Sequence, residues 1–320
     1  MDSPASPARR RVLTASLAAF GAAAVPGFAA AAAASATRIV LLGTAGGPTP
    51  KALRAAPASA VVVGDAVYVV DCGNGVARQL ALAGLRLGSL RGVFVTHHHS
   101  DHNADYGNLL LLAWAADLRT PVDAWGPPPL KRMTRQFLRM NEVDIRTRIA
   151  DEGRPDPATL IRAHDLRAHD LRAGGEVMRD ERVRVRAAVV EHPPLRPAFA
   201  YRFDTADRSV VFSGDTRPSE ALIELARGAD VLVHEVMYLP ALEKLIASEP
   251  QAARLRQHLL DSHTSAEQVG RVATAAGVKT LVLNHFVPGG DPALTDEVWR
   301  AAVAPHFGGE LVIGRDLMTL

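Results

Sequence analysis

The chain has 320 residues, with 36 Lys and Arg set against 34 Asp and Glu, and it carries one cysteine, Cys72. A lone cysteine excludes an internal disulfide, so stability cannot come from cross-links within the chain. The charge balance supplies no basic excess of the kind a polyanion-binding protein usually carries, which weighs against nucleic acid as the substrate.

Residues 1–36 read as an export signal rather than as part of the fold. A short polar start leads into Arg9-Arg10-Arg11-Val12-Leu13, and an alanine-rich run follows as far as Ala34-Ser35-Ala36. Arg9 and Arg10 resemble the twin-arginine signal, which carries folded proteins across a bacterial inner membrane. The expected location is therefore periplasmic or secreted, or membrane-anchored if the signal stays uncleaved. Pro26 and the weakly apolar character of the run argue against a span, and no other stretch approaches transmembrane length. Without this segment 33 basic and 33 acidic residues remain. Residues 37–320 are enough for one large domain, or for two fused halves of an α/β sandwich.

Along that domain, 37–43, 60–63 and 67–71 read as strands, the last two joined by a Gly64-Asp65 turn. The spacing Val76, Leu80, Leu82, Leu85 suits a short helix, and 92–96 is a buried strand. The apolar run 109–118 fits a buried helix, 121–125 a strand, and 130–140 an amphipathic helix after Gly126-Pro127-Pro128-Pro129. Residues 141–182 are the least regular part. They contain a duplication, Arg162-Ala163-His164-Asp165-Leu166 followed by Arg167-Ala168-His169-Asp170-Leu171. Their arginine-rich flanks and the lack of a supporting strand argue against His164 and His169 as ligands. Strands follow at 184–191, 198–203 and 209–212. A helix to residue 226, a strand at 231–234, helical segments at 240–260 and 265–276, a strand at 280–284, a helix at 295–304 and a closing strand from 310 complete the chain. Hairpins in the first half and strand–helix repeats in the second suit an α/β sandwich better than one doubly wound sheet.

The chemistry concentrates in Thr96-His97-His98-His99-Ser100-Asp101-His102, which opens directly from the strand before it. A strand end breaking into a tight loop could aim His97, His99, Asp101 and His102 at one point. Neutral imidazole and carboxylate are the ligands that zinc and other borderline metals accept. Three further candidates stand at strand ends: His192 before Pro193-Pro194, Asp215 after Phe212-Ser213-Gly214, and His285 after Asn284. Five histidines and two aspartates are enough for two metals sharing a bridging carboxylate. The glycine-rich stretch 43–47 lacks the continuation of a nucleotide-binding loop and reads as a tight loop lining the cleft. Ser213 and Cys72 have no base except through the metal site, so neither is needed as a nucleophile.

Residues 96–102 match the HxHxDH motif of the metallo-β-lactamase superfamily, and His192, Phe212-Ser213-Gly214-Asp215-Thr216 and Asn284-His285 follow in that family's order. Its ribonuclease Z and arylsulfatase-like branch is the part the chain most resembles. The shared motifs are Leu42-Gly43-Thr44-Ala45-Gly46-Gly47-Pro48, Val70-Asp71-Cys72-Gly73-Asn74-Gly75, Val233-His234-Glu235 and His263-Thr264-Ser265-Ala266-Glu267-Gln268. The resemblance spans about residues 38–318 and implies an αβ/βα four-layer sandwich.

Carried over by position, the resemblance implies one zinc on His97, His99 and His192, a second on Asp101, His102 and His285, and Asp215 bridging them; Mn2+ or Fe2+ would also fit. His98 is expected to pack or hydrogen-bond instead, and Asp71 to stand behind the site. Two such ions make hydroxide available at neutral pH and clamp the ester oxygens. Asp101 would orient or deprotonate the water, and His263, held by Glu235, would donate to the departing oxygen. The expected activity is an exported dinuclear zinc hydrolase of phosphodiester or related esters. A small-molecule ester is favoured over nucleic acid, because the chain lacks the long basic arm with which that branch grips tRNA. The alternatives are an aryl sulfate, lactone or β-lactam hydrolase, a tRNA 3′-processing endonuclease, and an iron oxidoreductase of the same fold. Glutamate at the position of His99 and a flavin domain, typical of the last, are missing. After signal removal no integral membrane domain is expected, and a homodimer is left open.

Overall fold

Near-continuous apolar runs with an underlying period of two make strands that are buried on both faces. The computed structural model, which describes residues 37–171, 174–247 and 252–320, uses them to build two seven-stranded sheets. In the first, β1 (Arg38–Gly43), β2 (Ala58–Val63) and β3 (Ala66–Val70) form an antiparallel meander, which β4 (Leu90–Phe94), β5 (Val122–Gly126) and β6 (Ile161–Asp165) extend in parallel. The second repeats the plan. Its meander is β7 (Gly175–Arg179), β8 (Arg184–His192), β9 (Leu195–Asp204) and β10 (Ser209–Phe212), followed in parallel by β11 (Val231–Met237), β12 (Thr280–Val287) and β13 (Glu310–Ile313). Finally β14 (Met318–Thr319) returns to pair with β1.

The first half contributes α1 (Val76–Leu82), α2 (Ser100–Asn103), α3 (Tyr106–Ala115), α4 (Leu130–Met140), α5 (Glu142–Glu152) and α6 (Pro157–Leu160). The second contributes α7 (Glu220–Ala226), α8 (Leu239–Ala247), α9 (Ala252–Ser262), α10 (Ala266–Ala276) and α11 (Asp296–Val303). Alternation sorts each strand between layers. Ile39, Leu41, Tyr68 and Phe94 face Phe199, Tyr201, Phe203 and Val282 between the sheets, whereas Val40, Leu42, Val67 and Val69 meet α1 and α3. Residues of α7, α10 and α11 cover the outer face of the second sheet, which completes the four layers. The helices α8 and α9 instead pack Leu242, Ile246 and Leu259 against Met237 and Val287, over the ends of β11 and β12.

Phe94 anchors the middle. It stacks on Trp125 at 4.9 Å and meets Phe203 and Tyr201 edge-on at 5.0 and 5.4 Å, each such pair adding about 0.5–1.5 kcal/mol beyond area burial. Tyr201 also donates to the carbonyl of Val95 at 2.9 Å. The strand that delivers the histidine loop therefore ends on a rigid base.

Residues 141–182 depart from the irregular reading, since they hold α5, α6, β6 and β7. Order there comes from pairing of β6 with β5 and from burial of Ile145 and Leu160 in a cluster with Trp114, both of which depend on distant parts of the chain. The two copies of the duplication adopt different structures: the first lies largely in β6, the second in an exposed 3₁₀ turn at Ala168–Asp170. His164, contrary to expectation, does have a strand to hold it, but it bonds Asp123 at 2.6 Å and stacks on Trp125 rather than joining a ligand cluster. Within the helical stretch expected at 240–260, the described residues form α8 and α9. The expected export signal at 1–36 lies outside the described residues. Among those described, no helix is long and apolar enough to cross a membrane.

Candidate metal centre

The site gathers at the edge where the parallel strands end. His97, His99, Asp101 and His102 come from the loop after β4 and from α2, His192 ends β8, Asp215 follows β10, and His285 lies in β12. His285 and Asp71 both hold positive φ, 43° and 60°. Such backbone costs about 1–3 kcal/mol in a residue other than glycine and persists where the surroundings impose it. Gly214 takes φ +59°, and a Cβ there would lie 2.9 Å from the Phe199 carbonyl and 3.0 Å from Cβ of Thr96. Only glycine lets the chain turn there and send Asp215 inward.

His97 Nε2 and His192 Nε2 each lie 3.0 Å from His99 Nδ1. Tautomers are set from behind. Thr96 Oγ1 donates to Asp71 and so accepts from His97 Nδ1 at 3.0 Å, while His192 Nδ1 donates to the Ser262 carbonyl at 2.9 Å. Both Nε2 atoms therefore present lone pairs to the same small volume, and a single imidazole N–H at His99 could satisfy only one. Converging lone pairs are what a cation resolves. Burial, the largest influence, lowers the pKa of His97, His99 and His192, the last to about 4. These rings are neutral at pH 7, the form that binds metal.

The second group shares the same aspartate. Asp215 Oδ2 lies 3.3 Å from His102 Nε2 and 3.2 Å from His285 Nε2, and Asp101 Oδ2 lies 3.6 and 3.4 Å from the same two atoms. His102 donates through Nδ1 to Asp71 Oδ2 at 2.7 Å, and Asp71 also accepts from the Thr96 N–H at 2.8 Å. His102 Nε2, His285 Nδ1 and Asp215 Oδ1 are buried with no hydrogen-bond partner, and groups of this kind seldom stay unpaired without an ion or water. Burial opposes charge on His102, yet Asp215, Asp71 and Asp101 outweigh it and raise its pKa well above the usual value. A metal would take the place of that proton. All seven expected ligands thus come together, in groups that overlap through Asp215 and His285.

The expected Glu235–His263 pair stands beside them. Glu235 Oε1 accepts from the Thr216 N–H at 2.6 Å, and Oε2 accepts from His263 Nδ1 at 2.7 Å. Burial alone would lower the His263 pKa, but the charge and hydrogen bond of Glu235 prevail and hold it at about 9. His263 stacks parallel to His285, with centroids 5.8 Å apart, and its Nε2 edge is left for the cleft. This cleft of about 390 Å³ is walled by the 46–51 loop, α9 and the end of β12.

His98 takes no part in these groups. It donates from Nε2 to the Pro127 carbonyl at 2.8 Å and accepts at Nδ1 from Asn103 at 3.0 Å. The glycine-rich loop lines the cleft, and its Gly47 N–H donates to Asp101 at 3.0 Å. Cys72 is buried with its thiol pKa pushed up by burial, and the Ser213 hydroxyl donates to the Gly214 carbonyl. Neither is poised as a nucleophile. Two ionisable residues of the cleft, Lys51 and His258, carry no signal in the sequence. His258 lies 5.8 Å from the His99 ring and 6.0 Å from those of His192 and His263. An isolated histidine in a polar helix carries no motif, and only the packing of α9 over the strand ends brings it here.

The chain matches the Beta-lactamase superfamily domain over residues 67–286. It is 37% identical over 284 residues to the ribonuclease Z of Mycobacterium avium (strain 104), a match that covers 87% of this chain and 96% of that protein. Among solved structures, human short-form tRNase Z superposes with a TM-score of 0.64 at 19% identity, over 88% of this chain and 98% of that one. The metallo-β-lactamase-fold protein YhfI of Bacillus subtilis gives 0.63 at 20% identity, over 89% and 98%. These relatives overturn the expectation that a small-molecule ester is favoured over nucleic acid, because the proteins matched along nearly their whole length are named ribonucleases. That expectation leaned on the export signal, on the missing arm and on net charge, the last of which averages over a surface and is silent about any one face.

Proposed function

The chain belongs to the ribonuclease Z family within the metallo-β-lactamase superfamily and is a metal-dependent hydrolase; from that premise we propose that it cuts RNA phosphodiester bonds at the 3′ side of tRNA sequences, using two zinc ions. The substrate half of this reading is supported by the near full-length match to proteins named ribonuclease Z, and the chemical half by the overlap of the ligand groups at Asp215 with the Glu235–His263 pair beside it. Zinc suits the donor set because neutral imidazoles and carboxylates are its usual nitrogen and oxygen ligands, and Mn2+ or Fe2+ would bind the same set more weakly. When bound, such ions supply a nucleophile from water at neutral pH and offset charge on the phosphate.

The chain's own residues do the rest. His97, His99 and His192 would hold one ion, Asp101, His102 and His285 the other, and Asp215 would touch both. Asp71 fixes the His102 ring through its 2.7 Å bond. His263 is set to give its Nε2 proton to the departing ribose oxygen, a poor leaving group that needs it. Metal-replete protein should cut precursor tRNA, and Asp215→Ala should not; metal-loaded protein that leaves precursor tRNA intact at physiological salt would overturn the reading. Residues 1–36 are proposed as a twin-arginine leader, which would carry the folded hydrolase outward. Cell fractionation tests this, and exclusively cytoplasmic full-length protein would refute it.

A further inference from the structure

Charge balance over the whole chain conceals one face. In α4, eleven residues from Leu130 to Met140 include Lys131, Arg132, Arg135 and Arg139 and no acid. All four cations are exposed. At 3.6 residues per turn they fall in a single sector about 100° wide, with Arg132 and Arg139 ~10 Å apart along the axis. Like charges at i,i+3 and i,i+4 destabilise a helix. None of the four forms an ion pair among the described residues, whereas in the adjoining α5 Arg146 pairs with Glu142, and Arg148 with Asp144 and Glu152. Asp165, at the end of β6, spends Oδ1 on the Lys131 backbone N–H at 2.9 Å.

The stripe also begins in the right place. β5 lies beside β4 and parallel to it, so both end at the same edge of the sheet. One runs into the histidine loop and the other, through Gly126 and Pro127, into α4. The His98–Pro127 bond of 2.8 Å joins those two exits. From this edge the cations lead away from the metal centre along the outside of the molecule.

We infer that the basic face of α4 is an RNA-docking surface, on which Lys131, Arg132, Arg135 and Arg139 contact consecutive phosphates of a substrate whose scissile bond lies at the metal centre. A local stripe of this kind is the footprint of a polyanion-binding protein. A lipid surface fits less well. The apolar side of α4 is spent inside the protein, where Leu130 is buried, Leu138 packs against α3 residues and Phe137 lies over Gly107. The inference rests on the ribonuclease reading but is separable from it by experiment.

Binding of labelled precursor tRNA to the metal-loaded protein is measured by fluorescence anisotropy across a salt series, with cleavage scored on gels of the same samples. Arg132→Ala/Arg135→Ala/Arg139→Ala should weaken binding at least tenfold and flatten the slope of log K against log salt by about 2 to 3, as loss of three phosphate contacts requires. Hydrolysis of a nitrophenyl phosphodiester should be unchanged, and so should RNA binding by Arg146→Ala/Arg148→Ala. Wild-type affinity and slope in the triple variant would overturn the inference. So would dependence of phosphatidylserine-vesicle binding, rather than RNA binding, on these arginines. Stripe-dependent binding without cleavage would leave the surface standing and remove the ribonuclease reading. Cleavage with stripe-independent binding would do the reverse.

Discussion

Replacing His263 with alanine separates proton donation from metal chemistry. Its Nδ1 is engaged with Glu235 Oε2 at 2.7 Å, so the proton available to a substrate is the one on Nε2. A positioned general acid contributes roughly 10²- to 10⁴-fold, or about 3 to 5 kcal/mol of barrier. That contribution exists only when the leaving oxygen needs a proton. His263→Ala should therefore cut the rate on RNA or an alkyl phosphodiester by about 10²- to 10⁴-fold, and leave a nitrophenyl diester within a few-fold of wild type. The substitution also strips one partner from buried Glu235, at a cost of about 1–3 kcal/mol. Glu235 Oε1 keeps its bond to Thr216, and a domain with about 5–15 kcal/mol of stability survives that loss. The assay is kcat/KM across diesters of graded leaving group, each preparation first matched for metal content and thermal midpoint. Equal losses along the series would refute the argument and leave His263 a purely structural residue.

The pH dependence of the same reaction follows from the His263 pKa, raised to about 9. The imidazole donates only while protonated, so turnover of unactivated substrates is supported below that value and lost as pH rises through it; bound cations start the decline earlier. A flat profile to pH 10 on such a substrate would contradict this. Asp71→Asn weakens the bond that orients His102 and disturbs Thr96 behind His97, and should lower metal affinity by roughly 10- to 100-fold in chelator competition; undiminished affinity would count against that role. Gly214→Ala forces a Cβ into the Phe199 carbonyl and Thr96 at φ +59°, and should cost about 1–3 kcal/mol in urea unfolding. An unchanged urea midpoint would mean that the turn relaxes freely.

The strands and the ligand-bearing loop were legible because their signals are local. Buried β-strands announce themselves as apolar runs, and His97, His99, Asp101 and His102 stand in one stretch of chain. Ser265 and Gln268 form the capping box that opens α10, where the helix was expected. What was hidden is non-local. β6 is a strand because β5 lies beside it, and the same five residues repeated once more make a turn, so the difference lies in the neighbours rather than in propensity. His258 and Lys51 reach the cleft only through the packing of α9 and the 46–51 loop. Net charge did not reveal the basic stripe because the acidic residues that balance it lie elsewhere than on α4.

Whether this centre cuts RNA is decided by incubating a precursor tRNA, at physiological salt, with zinc-loaded protein and with Asp215→Ala prepared in parallel. A single endonucleolytic cut at the 3′ side of the tRNA sequence is expected, abolished by Asp215→Ala and by chelation. Intact precursor in the presence of protein that is fully metal-loaded and hydrolyses a nitrophenyl diester would contradict it.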